Sequence, residues 1–129
     1  MMIYLAGGFY KNYKSEVMDE FVGHDIWCVD PELNDKLVHK IPGEYVGVDF
    51  EAIRSSDLVL AYLDDYPYVY GMAAEVGYAV AMNKTVILVD VRERVDSFLS
   101  GCARAVFTNV PAACRFIKER YAEKDGRKL

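Results

Sequence analysis

Glu75 is the only charged residue between Tyr66 and Asn83, in the run YPYVYGMAAEVGYAVAMN. Glutamate near the start of a helix is favoured by the macrodipole by about 0.3–1 kcal/mol, which by itself is a structural role. Its neighbours at helical spacing are Met72, Val76, Tyr78 and Ala79, not the lysine or arginine that an exposed face would supply. A carboxylate in an apolar wall, kept ionised by the helix field, suits a nucleophile better than a general acid.

Other groups could join it. Asp49, in VDFEAI, reads as an N-terminal helix cap. Asp57, in RSSDLVLAYL, reads as a cap on the turn into a strand. Asp64 and Asp65 fall at that strand's carboxyl end, where loop carboxylates contact ligand hydroxyls or simply face water. Gly7-Gly8, in LAGGFYK, permits close backbone approach to a ligand, but it is neither GxGxxG nor GxxxxGK[ST]. Tyr66, Tyr68 and Tyr70 could stack on a base or cover the edge of the core.

The elements that must position these groups follow from the apolar pattern. Strands are expected at Met2–Ala6, Asp25–Val29, Leu58–Leu63, Thr85–Val89 and, at an edge, Arg104–Thr108. Helices are expected at Asn12–Val22, Val48–Arg54, Gly71–Asn83, Val95–Gly101 and from Pro111 to about Glu123. The stretch Pro31–Gly47, with Pro31, Pro42, Gly43 and Gly47, reads as mostly loop. Alternating strands and helices predict a flavodoxin-like or Rossmann-like doubly wound α/β fold. Its mainly parallel five-stranded sheet would have the order 2-1-3-4-5. Ligands of such sheets bind beyond the strand carboxyl ends where the order reverses. That point gathers the Ala6–Phe9 loop, the Asp64–Tyr70 loop and the helix opening at Gly71, and so brings Glu75 to the crevice.

The composition is that of a globular protein: 129 residues, 53% hydrophobic and 27% charged, expected as one domain over residues 1–129. A net charge of −5 with no basic stripe argues against nucleic acid or an anionic membrane as partner. No apolar run approaches the roughly 20 residues of a membrane span. The N-terminus lacks a signal peptide's charged region, so a cytoplasmic location is expected. The tail KERYAEKDGRKL reads as a solvated helix end. Cys28, Cys102 and Cys114 are widely spaced and the only histidines are His24 and His39, so no metal site is expected. The cysteines read as small packed hydrophobes.

Taken together, IYLAGGF, VDFEAI, SSDLVLAYLDD and YGMAAEVGYAVAMNKTVILV resemble the nucleoside 2-deoxyribosyltransferase family, over Ile3–Phe9 and Val48–Val89. The resemblance implies that Glu75 attacks the anomeric carbon of a nucleoside and expels the base, forming a covalent glycosyl-enzyme as retaining glycosidases do. Tyr4 would orient Glu75, and Asp49 would protonate the departing base. Gly7, Gly8, Phe9, Asp65, Gly71, Met72, Asp96 and Ser97 would line the substrate. A second nucleobase would give transfer, and water would give hydrolysis. The partners implied are a small-molecule nucleoside or nucleotide and a nucleobase. The resemblance implies no metal or organic cofactor, and a homodimer or higher homo-oligomer with shared active sites.

The chain departs from the family pattern at three points. Val69 replaces the aspartate six residues before Glu75 that the family uses on the sugar hydroxyls; Asp64 or Asp65 would have to substitute. Met72 stands where threonine is usual. In VDSFLSG, Asp96 and Ser97, with Ser100, are nearest to the segment that transferases supply from a neighbouring subunit. Related nucleoside 5′-monophosphate N-glycosidases carry a phosphate-binding serine there. Asp96 favours a free nucleoside, whereas the serines keep a monophosphate N-glycosidase as the alternative. A non-catalytic nucleoside- or nucleotide-binding module is the reading of another class, motivated by Val69.

Overall fold

The computed structural model describes residues 1–7, 12–32, 42–65, 69–92, 97–121, 123–124 and 127–128. Five strands, β1 (Met2–Gly7), β2 (Trp27–Val29), β3 (Leu58–Leu63), β4 (Thr85–Asp90) and β5 (Ala105–Phe107), form one sheet in the order β2-β1-β3-β4-β5. Every pairing in it is parallel. Among the described residues it is accompanied by the helices α1 (Tyr13–Glu20), α2 (Pro42–Ser55), α3 (Tyr70–Ala81), α4 (Ser97–Cys102) and α5 (Val110–Arg120).

Strand periodicity divides the core in two. On one face Ile3, Leu5, Leu58, Leu60, Ile87 and Val89 pack on Tyr13, Val17 and Phe21 of the α1 region and on Val110, Ala113, Cys114 and Ile117 of α5. On the other, Tyr4, Ala6, Val59, Ala61, Leu63, Val86 and Leu88 meet Ile53 of α2 and Met72, Val76 and Ala79 of α3. Because successive strand residues point to opposite faces, β1 sends Tyr4 and Ala6 towards α2 and α3 and sends Ile3 and Leu5 away from them. The predicted strand order and helix alternation are those observed.

Two local expectations are corrected. The helix before β3 begins at Pro42, not Val48, so Pro42–Gly47 is helical rather than loop. Proline suits the first helical turn, where its missing N–H has no partner to lose. Gly43 and Gly47 then cost about 1 kcal/mol each against alanine, which burial of the stripe behind them can offset. The C-terminal expectation also fails: α5 ends at Arg120, and Glu123–Lys124 pairs antiparallel with Arg127–Lys128. The residues between those two strands in sequence are Asp-Gly, a dipeptide favoured in two-residue hairpin loops. At α5's other end Asn109 accepts the Ala112 N–H at 2.9 Å, with Pro111 in the first turn as expected. Asn83, at φ 59°, follows α3 in the left-handed conformation that commonly stops helices.

Candidate active site

The stripe of α2 that faces the sheet runs through Tyr45, Asp49 and Ile53, one helical turn apart. Asp49 is 8% exposed at a position where that stripe calls for an apolar residue. It lies well inside the helix, so the alternative role of an N-terminal cap is excluded. The matching stripe of α3 is Met72, Glu75, Val76 and Ala79, and Glu75 is likewise 8% exposed. Each of two adjacent helices therefore commits one carboxylate to an otherwise apolar buried face. Burying a carboxylate is costly unless it is hydrogen-bonded, so each position calls for a donor close by.

For Glu75 that donor is Tyr4. Its phenol, at the centre of β1 and fully buried, donates to Glu75 Oε2. The bond runs from the middle strand of the reversal point to the helix that follows β3, which is where the topology places a ligand crevice.

Gly7 closes β1 at φ +79°. A Cβ there would lie 2.5 Å from the Tyr62 carbonyl oxygen and 3.0 Å from Met72 Cγ, so only glycine lets the chain turn against β3 and α3 at this point. Met72 is buried beneath it. Gly71 is exposed in the first turn of α3, and Val69 precedes that helix without a side-chain cap. Beyond β3, Asp64 is buried and Asp65 is exposed. Ser97 opens α4, while Gly8, Phe9 and Asp96, with Tyr66 and Tyr68, lie outside the described residues. Thus Tyr4, Glu75, Gly7 and Met72 are brought into contact or close packing, and Asp49 lies on the helix beside them.

Several supporting groups were not singled out from the sequence. Tyr13 donates to the Ala6 carbonyl at 2.7 Å and stacks on Tyr62 with ring centroids 4.5 Å apart, pinning the chain just before Gly7. Burial pushes the Tyr13 phenol well above its ordinary value near 10, and the negative charges of Glu75 and then Asp30 push it further. It therefore stays a protonated donor. Burial, then Asp64, raises Tyr62 as well. Lys14, buried, holds Asp30 at 2.8 Å just beyond β2. At the end of β4, Arg92 grips Asp90 through two bonds of 2.9 Å. A strand-end aspartate followed two residues later by arginine was the available signal for that pair. Across the α2–α3 seam, Phe50 and Tyr78 stack with centroids 4.2 Å apart and planes at 10°.

Asp57 works elsewhere: at the amino end of β3 its carboxylate accepts the Met2 N–H at 2.7 Å. Cys114 is fully buried, and Cys28 and Cys102 are half-buried. Among the described residues no cluster of three or more His, Cys, Asp or Glu side chains could hold a metal ion. No described helix is long and apolar enough to cross a membrane.

Residues 3–102 match the model of the family described as Nucleoside 2-deoxyribosyltransferase, and the chain belongs to that family. It is an enzyme of the glycosyl-transferring, N-glycoside-cleaving kind, acting on nucleosides or their relatives. No curated protein matches the chain in sequence. Among solved structures it is similar to a 2-deoxyribosyltransferase from Bacillus psychrosaccharolyticus, at 18% identity and TM-score 0.75 over 87% of this chain and 89% of that one. It is also similar to a 2-deoxyribosyltransferase from Leishmania mexicana, at 20% identity and TM-score 0.75 over 93% and 98%. A third is the CMP N-glycosidase of Clostridium botulinum, at 16% identity and TM-score 0.62 over 92% and 98%. At these identities the likeness is one of fold.

Proposed function

We propose that the protein cleaves the N-glycosidic bond of (deoxy)ribonucleosides through a covalent glycosyl ester on Glu75, and passes the sugar to another nucleobase or to water. The observation that carries this reading is the buried Tyr4–Glu75 hydrogen bond at the reversal point of the sheet. In the first step a Glu75 oxygen forms a bond to the anomeric carbon as the C–N bond breaks. The electron pair leaves with the base, and Asp49 supplies its proton. In the second step Asp49 takes a proton from the incoming base or water, whose attack on the anomeric carbon releases Glu75. Tyr4, held rigidly by the core, keeps the attacking carboxylate in one rotamer, so that binding already supplies the approach geometry.

The remaining residues of the site bind substrate. Gly7, with Gly8 and Phe9, leaves room for the substrate against β1, and Met72 supports that turn from below. Gly71 opens the helix beside it, and Asp65 reaches the sugar. Asp96 and Ser97 act from a neighbouring subunit in a homodimer or larger homo-oligomer with shared sites.

The test is chromatographic. The protein and Glu75→Ala are incubated with a panel of nucleosides and 5′-monophosphates, with and without a second free base. Base release or exchange by the natural protein and not by the variant is the expected outcome. Ligand-induced stabilisation with no turnover, unchanged by Glu75→Ala, would replace the enzyme by a binding module.

A further inference from the structure

The two buried carboxylates sit on separate helices, so their separation depends on how those helices pack. Glu75 is held from the sheet by Tyr4. Asp49 is buried on α2. Where α2 and α3 pack side by side, the residue next to Asp49 and the residue one turn beyond Glu75 are both half-buried aromatics. Their rings lie 4.2 Å apart and nearly parallel, at 10°. Both also pack on the apolar cluster that contains Tyr4, Met72 and Val76.

We infer that the Phe50–Tyr78 stack is the positioning device that sets the proton donor Asp49 against the nucleophile Glu75; the inference rests on the glycosyl chemistry proposed above. The leverage is short. Phe50 is covalently next to Asp49, about 3.8 Å between Cα atoms, and Tyr78 lies three residues, about 4.5 Å of rise, beyond Glu75. A shift of either helix at the stack therefore carries its carboxylate with it. Aromatic pairs favour particular ring geometries beyond the area they bury, and an aliphatic contact at the same place has no such preference. Misplacement of a reacting group by about 1 Å can cost on the order of 100-fold in rate. Phe50 and Tyr78 touch no reacting atom; they act through Asp49.

The test uses leaving groups that do and do not need a proton. Natural protein, Phe50→Leu, Tyr78→Leu and Tyr78→Phe are each assayed in a single turnover with enzyme in excess. The substrates are the panel member that the natural protein cleaves fastest and a pyridinium nucleoside of the same sugar. The pyridinium departs as neutral pyridine without protonation, so this first step needs Glu75 and not Asp49, which enters only when the sugar leaves Glu75. Both leucine variants are expected to lower the single-turnover rate of base release by roughly 10- to 100-fold. Substrate affinity should change little, pyridine release should stay close to the natural rate, and Tyr78→Phe should behave as the natural protein. Loss on both substrates in parallel would make the stack a plain folding contact and overturn the inference. So would leucine variants that fold and release base at the full rate. A natural protein that releases neither base from any panel member nor pyridine would remove the glycosyl reading, and this inference with it.

Discussion

Replacing Tyr4 by phenylalanine removes one oxygen from the fully buried core and leaves the ring that fills it. The lost oxygen is the donor to Glu75 Oε2. A hydrogen bond to a charged group contributes about 1.5–3 kcal/mol, so Tyr4→Phe should lower unfolding free energy by about that amount at neutral pH. Two opposing effects set the rate. Attack turns the carboxylate into an ester and weakens the Tyr4 bond, so deleting it destabilises the resting nucleophile. That alone would speed attack by roughly tenfold for each 1.4 kcal/mol. Against this, a Glu75 side chain released from its rotamer loses alignment with the anomeric carbon, at a cost on the order of 100-fold. About half of that 1.5–3 kcal/mol is lost by a transition state half-way to the ester, an acceleration of roughly 3- to 12-fold. The orientation cost on the order of 100-fold exceeds it, and kcat should fall by about tenfold. Single-turnover base release followed by chromatography gives the rate, and urea unfolding gives the stability. A folded Tyr4→Phe protein with kcat equal to or above that of the natural enzyme would refute the orienting role.

Other perturbations follow from the same geometry. Gly7→Ala places a Cβ 2.5 Å from the Tyr62 carbonyl oxygen at a φ of +79°. Overpacking and a left-handed backbone together should cost about 2–5 kcal/mol, read as a lower denaturation midpoint. Asp30→Asn removes the carboxylate charge held at 2.8 Å from the buried Lys14 ammonium, which keeps Glu32 at 3.9 Å. That substitution should destabilise by about 1–3 kcal/mol in chemical denaturation, whereas a surface ion-pair deletion would cost under about 1 kcal/mol. Burial raises the Cys28 thiol from 9.0 to about 11 and the Cys114 thiol from 9.0 to about 12. The unfolded chain then releases these protons at lower pH than the folded one does. The stabilisation is therefore whole below about pH 9 and is lost as pH rises through 11 and 12. A melting temperature that stays level from pH 8.5 to about 11 would contradict that sign.

How much of this was legible in the sequence depends on how local each cause is. The runs LVLAYL and TVILV declared buried strands because their apolar residues are consecutive, and alternation with helices then left few strand orders. Glu75 was conspicuous as a lone charge in an apolar helix. Asp49 was harder, because Pro42, Gly43 and Gly47 obscured the helix whose buried stripe contains it. Local breakers were outweighed there by packing against the sheet. The partnership of Tyr4 and Glu75 joins residues 71 apart in sequence, and no periodicity encodes it; it came from the family resemblance. Lys14 with Asp30 and Phe50 with Tyr78 were missed for the same reason, since each depends on which elements the topology sets side by side. Asp125-Gly126 did carry a local hairpin signal, which the helix-like tail composition outweighed.

Passage of the sugar through Glu75 is tested most directly by mass spectrometry of the protein and its peptides. The protein is incubated with a nucleoside carrying fluorine at C2′, which slows breakdown of a glycosyl ester, and is then quenched in acid and digested. The expected result is an added mass of one fluorinated pentosyl group, confined to the peptide containing Glu75 and lost when excess free base is supplied before quenching. Steady base release with no adduct, or an adduct on any other residue, would contradict it.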